Sequence, residues 1–312
     1  MNTFVSQDGL KIKVFGVGGA GSNAVGKMAG NHFSNVELFV ANTDKQHLYE
    51  SPIDNQILLG NDGRGAGGDP ECGARAAIES EALIRSKMND ADVVFITAGM
   101  GGGTGTGASP VFARLAKEAG CMVIAVVTKP FEFEGRRRMM NAEKGIKNLF
   151  DFCDSIMVIS NNKMLEVCTN ISFRAALDEV DKILSRTIKS IIDLVAAPGL
   201  VNVDYADVQS VMSGKNYAYV GFGFSDIPNN EQRAEDVAFK ALSSPLLEKN
   251  ISGAKNAIVH ISGGKDICIS DAETIVNCIK SAAGENVDVI FGITIDEENN
   301  GKFYVTLIAT GF

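Results

Sequence analysis

The chain of 312 residues is poor in the features that announce metal, redox or membrane chemistry. Its six cysteines (Cys72, Cys121, Cys153, Cys168, Cys268, Cys278) never fall in C-x-x-C spacing, and its three histidines (His32, His47, His260) lie far apart. Neither a zinc site nor a disulfide framework follows from that scatter. In apolar settings such as CMVIAVV a thiol is expected as a small buried hydrophobe of a reduced cytosolic protein. No stretch approaches the ~18 consecutive apolar residues of a membrane span, and the N-terminus lacks the apolar core of a signal peptide. A soluble, cytoplasmic protein is expected, with no direct membrane insertion; attachment to a membrane would need another molecule. Basic charge is scarce as well. Lys and Arg number 29 against 38 Asp and Glu, a net charge of -9. Neutralising the phosphates of a nucleic acid needs clustered cations, so no nucleic-acid partner is expected. The one dense basic run, Arg136-Arg137-Arg138, fits a solvated helix face.

What is present is a large apolar fraction, 45%, in a chain too long for one usual hydrophobic core, so two domains or one large α/β domain are expected. Short β-branched runs alternate with helix-length amphipathic stretches: IKVFGV, a helix near 20–30, VELFVAN, a helix near 71–88, DVVFITAG, a helix near 108–119, CMVIAVVT, then SIMVIS at 155–160. This is the pattern of βαβ units and predicts a Rossmann-like parallel sheet with ligands beyond the strands' carboxyl ends. Leu177, Val180, Leu184, Ile188, Ile191 and Leu194 then keep steps of three or four, predicting one long central helix, ended by Pro198 and Gly199. Beyond it, a helix near 204–212, the strand YAYVGFGFS, a helix near 230–242 and the strands AIVHIS, VDVIFGITI and FYVTLIATGF predict a smaller α+β domain. The expected domains are 1–172, nucleotide-binding; 173–198, the linking helix; and 199–312.

Three glycine-rich segments carry the chemistry. Gly16-Val-Gly18-Gly19-Ala20-Gly21 is a G-x-G-x-x-G turn opening a helix, and Asp44 follows the second strand. Alone this fits a dinucleotide fold and permits a Rossmann oxidoreductase. It reports only that a backbone approaches a phosphate at a helix N-terminus. The second is ITAGMGGGTGTGASP, where Gly101, Gly102, Gly103, Gly105 and Gly107 crowd between a buried strand and a helix expected from Ala108. Backbone without side chains lets successive N–H groups face one anion, and Thr104 and Thr106 add hydroxyls. The third, Gly63 to Pro70 with Ala66, Gly67 and Gly68, also precedes a helix, so the three can converge on one polyphosphate. Asp44 and Asp69 would repel phosphate directly and fit helix caps or water and Mg²⁺ ligands, with capping the better reading for Asp69. Gly21 to Met28 nearly spells a Walker A loop, but Met28 offers no hydroxyl, and Lys27 reads as an ordinary surface residue on a helix.

The string GGGTGTG at 101–107, together with GVGGAGSNAV, ANTD at 41–44, VVTKPFEFEGRRR and GLVNVDYADVQSVM, resembles the tubulin and FtsZ family from about Lys11 to Phe312. The resemblance implies a GTPase that binds GTP or GDP, with Mg²⁺ accompanying GTP and no direct protein ligand to the metal. It implies head-to-tail self-assembly into filaments, cell division as the process, division-machinery and membrane-tethering proteins as further partners, and the division site as location. Nucleotide-bound scaffolds for cell shape or DNA segregation are the alternative within the family. Carried over residue by residue, Gly18, Gly19, Ala20 and Asn23 fall on the phosphate and ribose side, with Ala66, Gly67, Gly68 and Gly101 to Gly107 around the phosphates. Thr128, Glu134 and Arg138 fall on the ribose and phosphate side as well. Asn161 and Asp181 fall on the guanine edge, and Leu177 stands where the family has a phenylalanine against the base. Asn202, Asp204 and Asp207 match the catalytic loop that acts on the neighbouring subunit's nucleotide, although by spacing alone the aspartates read better as helix caps.

Overall fold

The computed structural model describes residues 9–30, 35–163, 172–196, 200–201, 203–214, 216–226, 232–243, 251–295 and 302–312. It divides into two compact units, residues 1–189 and 190–312. Asn202 and the expected helix stop at Pro198 and Gly199 lie outside the described residues.

In the first unit six strands pair in parallel: β1 (Ile12–Val17), β2 (Val36–Asn42), β3 (Gln56–Leu58), β4 (Val93–Gly99), β5 (Met122–Lys129) and β6 (Ser155–Ser160). Their order is β3-β2-β1-β4-β5-β6. All six β1 residues are buried, as expected for a strand covered on both faces. Phe15 of β1 stacks on Phe39 of β2 with centroids 4.8 Å apart and tilts against Phe112 at 5.5 Å. The chain winds outward from β1 through β2 to β3, then crosses back to β4 on the other side of β1. That reversal opens a crevice beyond the carboxyl ends of β1 and β4.

The helices of this unit are α1 (Gly18–Gly26), α2 (Lys45–Tyr49), α3 (Pro70–Glu79), α4 (Glu81–Met88), α5 (Thr104–Glu118), α6 (Arg136–Phe150) and the start of α7 (Phe173–Ala196). The single helix expected over 71–88 is two. Ser80 turns out of helical geometry (φ -97°, ψ 10°) while its hydroxyl accepts from Gly60 N. Helix α5 begins four residues before the expected Ala108, because Gly107 N already bonds to Gly103 O. Along α7, Val180, Leu184, Ile188, Ile191 and Leu194 are buried as the period requires, but Leu177 is 40% exposed.

The second unit holds α8 (Tyr205–Met212), the short strand β7 (Asn216–Tyr217), β8 (Tyr219–Ser225), α9 (Arg233–Leu242), β9 (Asn256–Gly263), α10 (Ile269–Ala283), β10 (Asp288–Ile295) and β11 (Phe303–Thr310). A four-stranded mixed sheet runs β10-β9-β11-β8, with β9 and β10 parallel and β11 antiparallel to β9 and β8. At the start of α9 the side chain of Arg233 is fully buried. It pairs with Asp266 and with Asp271 (Nη2 to Oδ2, 2.9 Å), and its guanidinium lies 4.4 Å over the Phe303 ring. Among the described residues no helix is long and apolar enough to cross a membrane. Burial pushes the Cys121 and Cys153 thiols up, as core cysteines require, whereas Cys268 is exposed and departs from the core expectation.

Candidate functional site

The three glycine-rich turns interlock backbone to backbone. A Cβ on Gly18, which has φ +74°, would lie 2.8 Å from Gly105 N; one on Gly103 would lie 2.7 Å from Ala66 Cβ and 3.0 Å from Asp69 N. One on Gly107 would fall 1.9 Å from Pro70 O, far inside any possible van der Waals contact. The glycines are therefore needed first so that the turns after β1, β3 and β4 can approach one another. Gly67, Gly68 and Gly102 face open space instead, and these carry the surface left for a ligand. The turn after β2 joins the same cluster: Thr43 Oγ1 and Thr104 Oγ1 are 2.6 Å apart, and the backbones of Asp44 and Arg64 pair in an isolated antiparallel β-bridge. On the other side a Cβ on Gly101 would lie 2.9 Å from Arg138 O, and Thr106 Oγ1 accepts from Gly101 N at 2.7 Å.

Helix α1 opens directly on this cluster, with Val17 at its N-cap and no side-chain hydrogen bond there. Its first N–H groups thus lack an internal acceptor, the condition under which a helix start takes an anion. By contrast α2 and α3 are capped: Asp44 Oδ1 accepts from Gln46 N at 2.9 Å, and Asp69 Oδ1 from Glu71 N at 3.0 Å. Glu134 and Arg138 pair with each other, and Glu134 Oε1 also accepts from Phe131 N. Thr128 is buried, its carbonyl accepting from Met100 N.

Beside the cluster, α1, α2 and α7 line a cleft of about 770 Å³. Leu177 and Asp181, expected at the base, line it together with Asn23, expected on the phosphate and ribose side. Burial pushes the Asp181 carboxyl up to about 6, against the pull of Lys27 and of the neighbouring Asn23. Asn161 is buried at the end of β6 with its Oδ1 unpartnered, an acceptor without a donor. Lys27, Asp178, His47 and Arg174 line the cleft too and were missed as site residues. Lys27 is exposed, as expected of a surface residue, and there pairs with Asp178 of α7. Its spacing of four from Asn23, one helical turn along the same face, was the available signal.

In the second unit Asp204 and Asp207 form a reciprocal capping box at the start of α8. Asp204 Oδ1 accepts from Asp207 N at 2.8 Å, and Asp207 Oδ2 accepts from Asp204 N at a weaker 3.4 Å. One oxygen of each carboxylate stays outside the box. Among the described residues no group of three His, Cys, Asp or Glu is placed to hold a metal ion.

The profile of the tubulin/FtsZ family GTPase domain matches residues 11–169, and that of the FtsZ family C-terminal domain matches residues 216–312. The chain is 46% identical over 302 residues to a cell division protein FtsZ of Mycoplasmopsis pulmonis, covering 96% of this chain and 77% of that protein. It is 44% identical over 305 residues to a cell division protein FtsZ of Buchnera aphidicola, covering 96% and 78%. A solved structure described as an empty FtsZ dimer of M. jannaschii superposes with a TM-score of 0.90 at 40% identity, over 98% of this chain and 90% of that one.

Proposed function

Because the chain belongs to the FtsZ family of tubulin-like GTPases, we propose that it polymerises head to tail into filaments of cell division and hydrolyses GTP where one subunit meets the next. The observation that carries this reading is the set of interlocked glycine turns at the carboxyl ends of β1, β3 and β4, beside an uncapped helix start. Such a surface suits a polyphosphate. The buried, unpartnered Asn161 Oδ1 and the Asp181 carboxylate are both acceptors. They complement guanine, whose N1–H and exocyclic amine are donors, and not adenine.

In this reading residues 1–172 bind nucleotide, the helix over 173–198 links, and residues 199–312 supply the catalytic loop to a neighbour. The α1 start and the turns at Gly67, Gly68 and Gly102 hold the phosphates; Glu134 and Arg138 lie on the ribose and phosphate side. Mg²⁺ bound to the triphosphate supplies charge neutralisation during transfer. Asp204 and Asp207 orient the attacking water through the oxygens that capping leaves free. A heterologous interface whose rotation does not close gives an open filament, and nucleotide lodged in it makes hydrolysis a route to disassembly.

The test is phosphate release from GTP and from ATP across a protein dilution series, with light scattering in parallel. Release selective for GTP, rising per subunit above a threshold concentration together with scattering, is the expected result; activity per subunit independent of dilution would remove the shared site. A second measurement addresses the base. Leu177 presents an aliphatic, 40% exposed wall to the cleft, and stacking on an aromatic ring is worth about 1–3 kcal/mol in nucleic-acid binders. Leu177→Phe is therefore expected to tighten GDP binding by about tenfold in calorimetric titration, and unchanged affinity would place the base elsewhere.

A further inference from the structure

Two polar rungs join α1 to α7 across the cleft. One sets Asn23 beside the Asp181 carboxyl, both lining the cleft; the other is the Lys27–Asp178 ion pair. Asn23 and Lys27 are four residues apart and Asp178 and Asp181 three, so each helix presents both its groups on one face. The rungs differ in solvation. Lys27 and Asp178 keep 39% and 38% of their side-chain surface, whereas Asp181 is withdrawn enough that burial is the largest influence on its carboxyl.

A carboxylate accepts from a base edge only while ionised; once protonated, one oxygen becomes a donor facing other donors. The cation that opposes this loss is Lys27, and the like charge that promotes it is Asp178, one turn back along α7. The remaining charged or titratable groups lining the cleft are Arg174 on α7, His47 on α2 and Glu50 just after it. Lys182 is engaged by Asp178 at 2.9 Å and Glu179 at 2.7 Å.

We propose that Lys27 is a positioning residue for base recognition, its ammonium keeping the Asp181 carboxylate ionised and available to the base, with Asp178 holding that ammonium one rung away from Asp181. The inference rests on the guanine reading of the cleft given above. It assigns opposite roles to the two partners of one ion pair: Lys27 sustains the acceptor and Asp178 restrains it. A contact that merely clamped α7 onto α1 would give the two residues the same role.

The experiment is equilibrium GDP binding by the full chain between pH 5 and 8, for the parent, Lys27→Met, Lys27→Arg and Asp178→Asn. The nucleotide's own phosphate titration is common to all four and cancels between them. Loss of the cation is expected to raise the pH at which binding falls away by about one pH unit, which weakens binding by about fivefold at pH 6 and about twofold at pH 7. Asp178→Asn is expected to move the midpoint the other way, and Lys27→Arg to keep the parent profile. Equal weakening at every pH in Lys27→Met and Asp178→Asn, or coincident profiles for Lys27→Met and the parent, would overturn the inference while leaving guanine binding intact. A parent chain that binds no GDP would defeat the guanine reading itself, and this inference with it.

Discussion

Asp207→Ala is expected to leave GTP binding intact and to lower phosphate release by about a hundredfold or more, the usual range for removing a positioned general base. Filaments of the variant should persist where those of the parent turn over. The argument rests on what the capping box leaves free. Asp207 commits one oxygen to a weak, 3.4 Å hydrogen bond from Asp204 N, so its other oxygen can meet a water held by a neighbouring subunit. Breaking one arm of the box costs about 1 kcal/mol or less, too little to unfold α8 and mimic a catalytic loss. Asp207→Asn separates the two contributions further, since the amide oxygen still caps but no longer accepts a proton at neutral pH. Both variants should be equally slow. Rapid disassembly with parental phosphate release in either would strip Asp207 of the role and leave it a cap.

The other large effect concerns stability. Arg233→Met is expected to lower the stability of the unit at 190–312 by about 3–5 kcal/mol, the range for breaking one side of a buried ion pair. The side chain has no exposed surface and holds two carboxylates, Asp266 and Asp271, against the face of Phe303. Removing it leaves both acids partly desolvated without a cation, while the methionine fills most of the volume. The chain contains no tryptophan, so urea unfolding followed by far-ultraviolet circular dichroism is the suitable measurement. Adding Asp271→Leu to Arg233→Met should recover part of the loss, because the remaining buried charge is then removed. A loss below about 1 kcal/mol would mean that water reaches the triad in solution and relaxes it.

The strands were legible because burial on both faces makes them apolar without interruption. IKVFGV and SIMVIS were read with the bounds of β1 and β6, and VELFVAN with those of β2. β3 was missed because three residues, Gln56 to Leu58, are too few to show a period. α10 was missed for a different reason: of its buried residues Asp271, Ala272, Ile275, Ile279 and Ala283, only the two isoleucines are large and apolar, too few to mark a stripe. The start of α5 was misplaced because Gly and Thr are weak helix formers, and tertiary packing against α3 overrides that preference. At the site, the glycine turns announced themselves by composition, but their purpose was only half visible. The sequence suggests a cradle for an anion; the structure adds that Gly18, Gly103 and Gly107 are spent on contact between the turns. Lys27 stayed hidden because it was weighed as part of a failed Walker motif rather than as the next turn along from Asn23. No pattern along the chain could have placed it opposite Asp178, which lies 151 residues away.

The interlocking of the turns has a bearing on redesign. Each turn supplies part of the wall against which the next is built, so none is a module that can be exchanged alone. A loop transplanted from a nucleotide site of different chemistry would bring its own side chains to Gly105 N, Asp69 N or Pro70 O, where the structure leaves no space for a Cβ. On the proposed reading of the cleft, specificity for a new nucleotide is therefore to be sought in its walls at Leu177 and Asp181. The interlocked turns can be altered only as a single piece, with all of them replaced together.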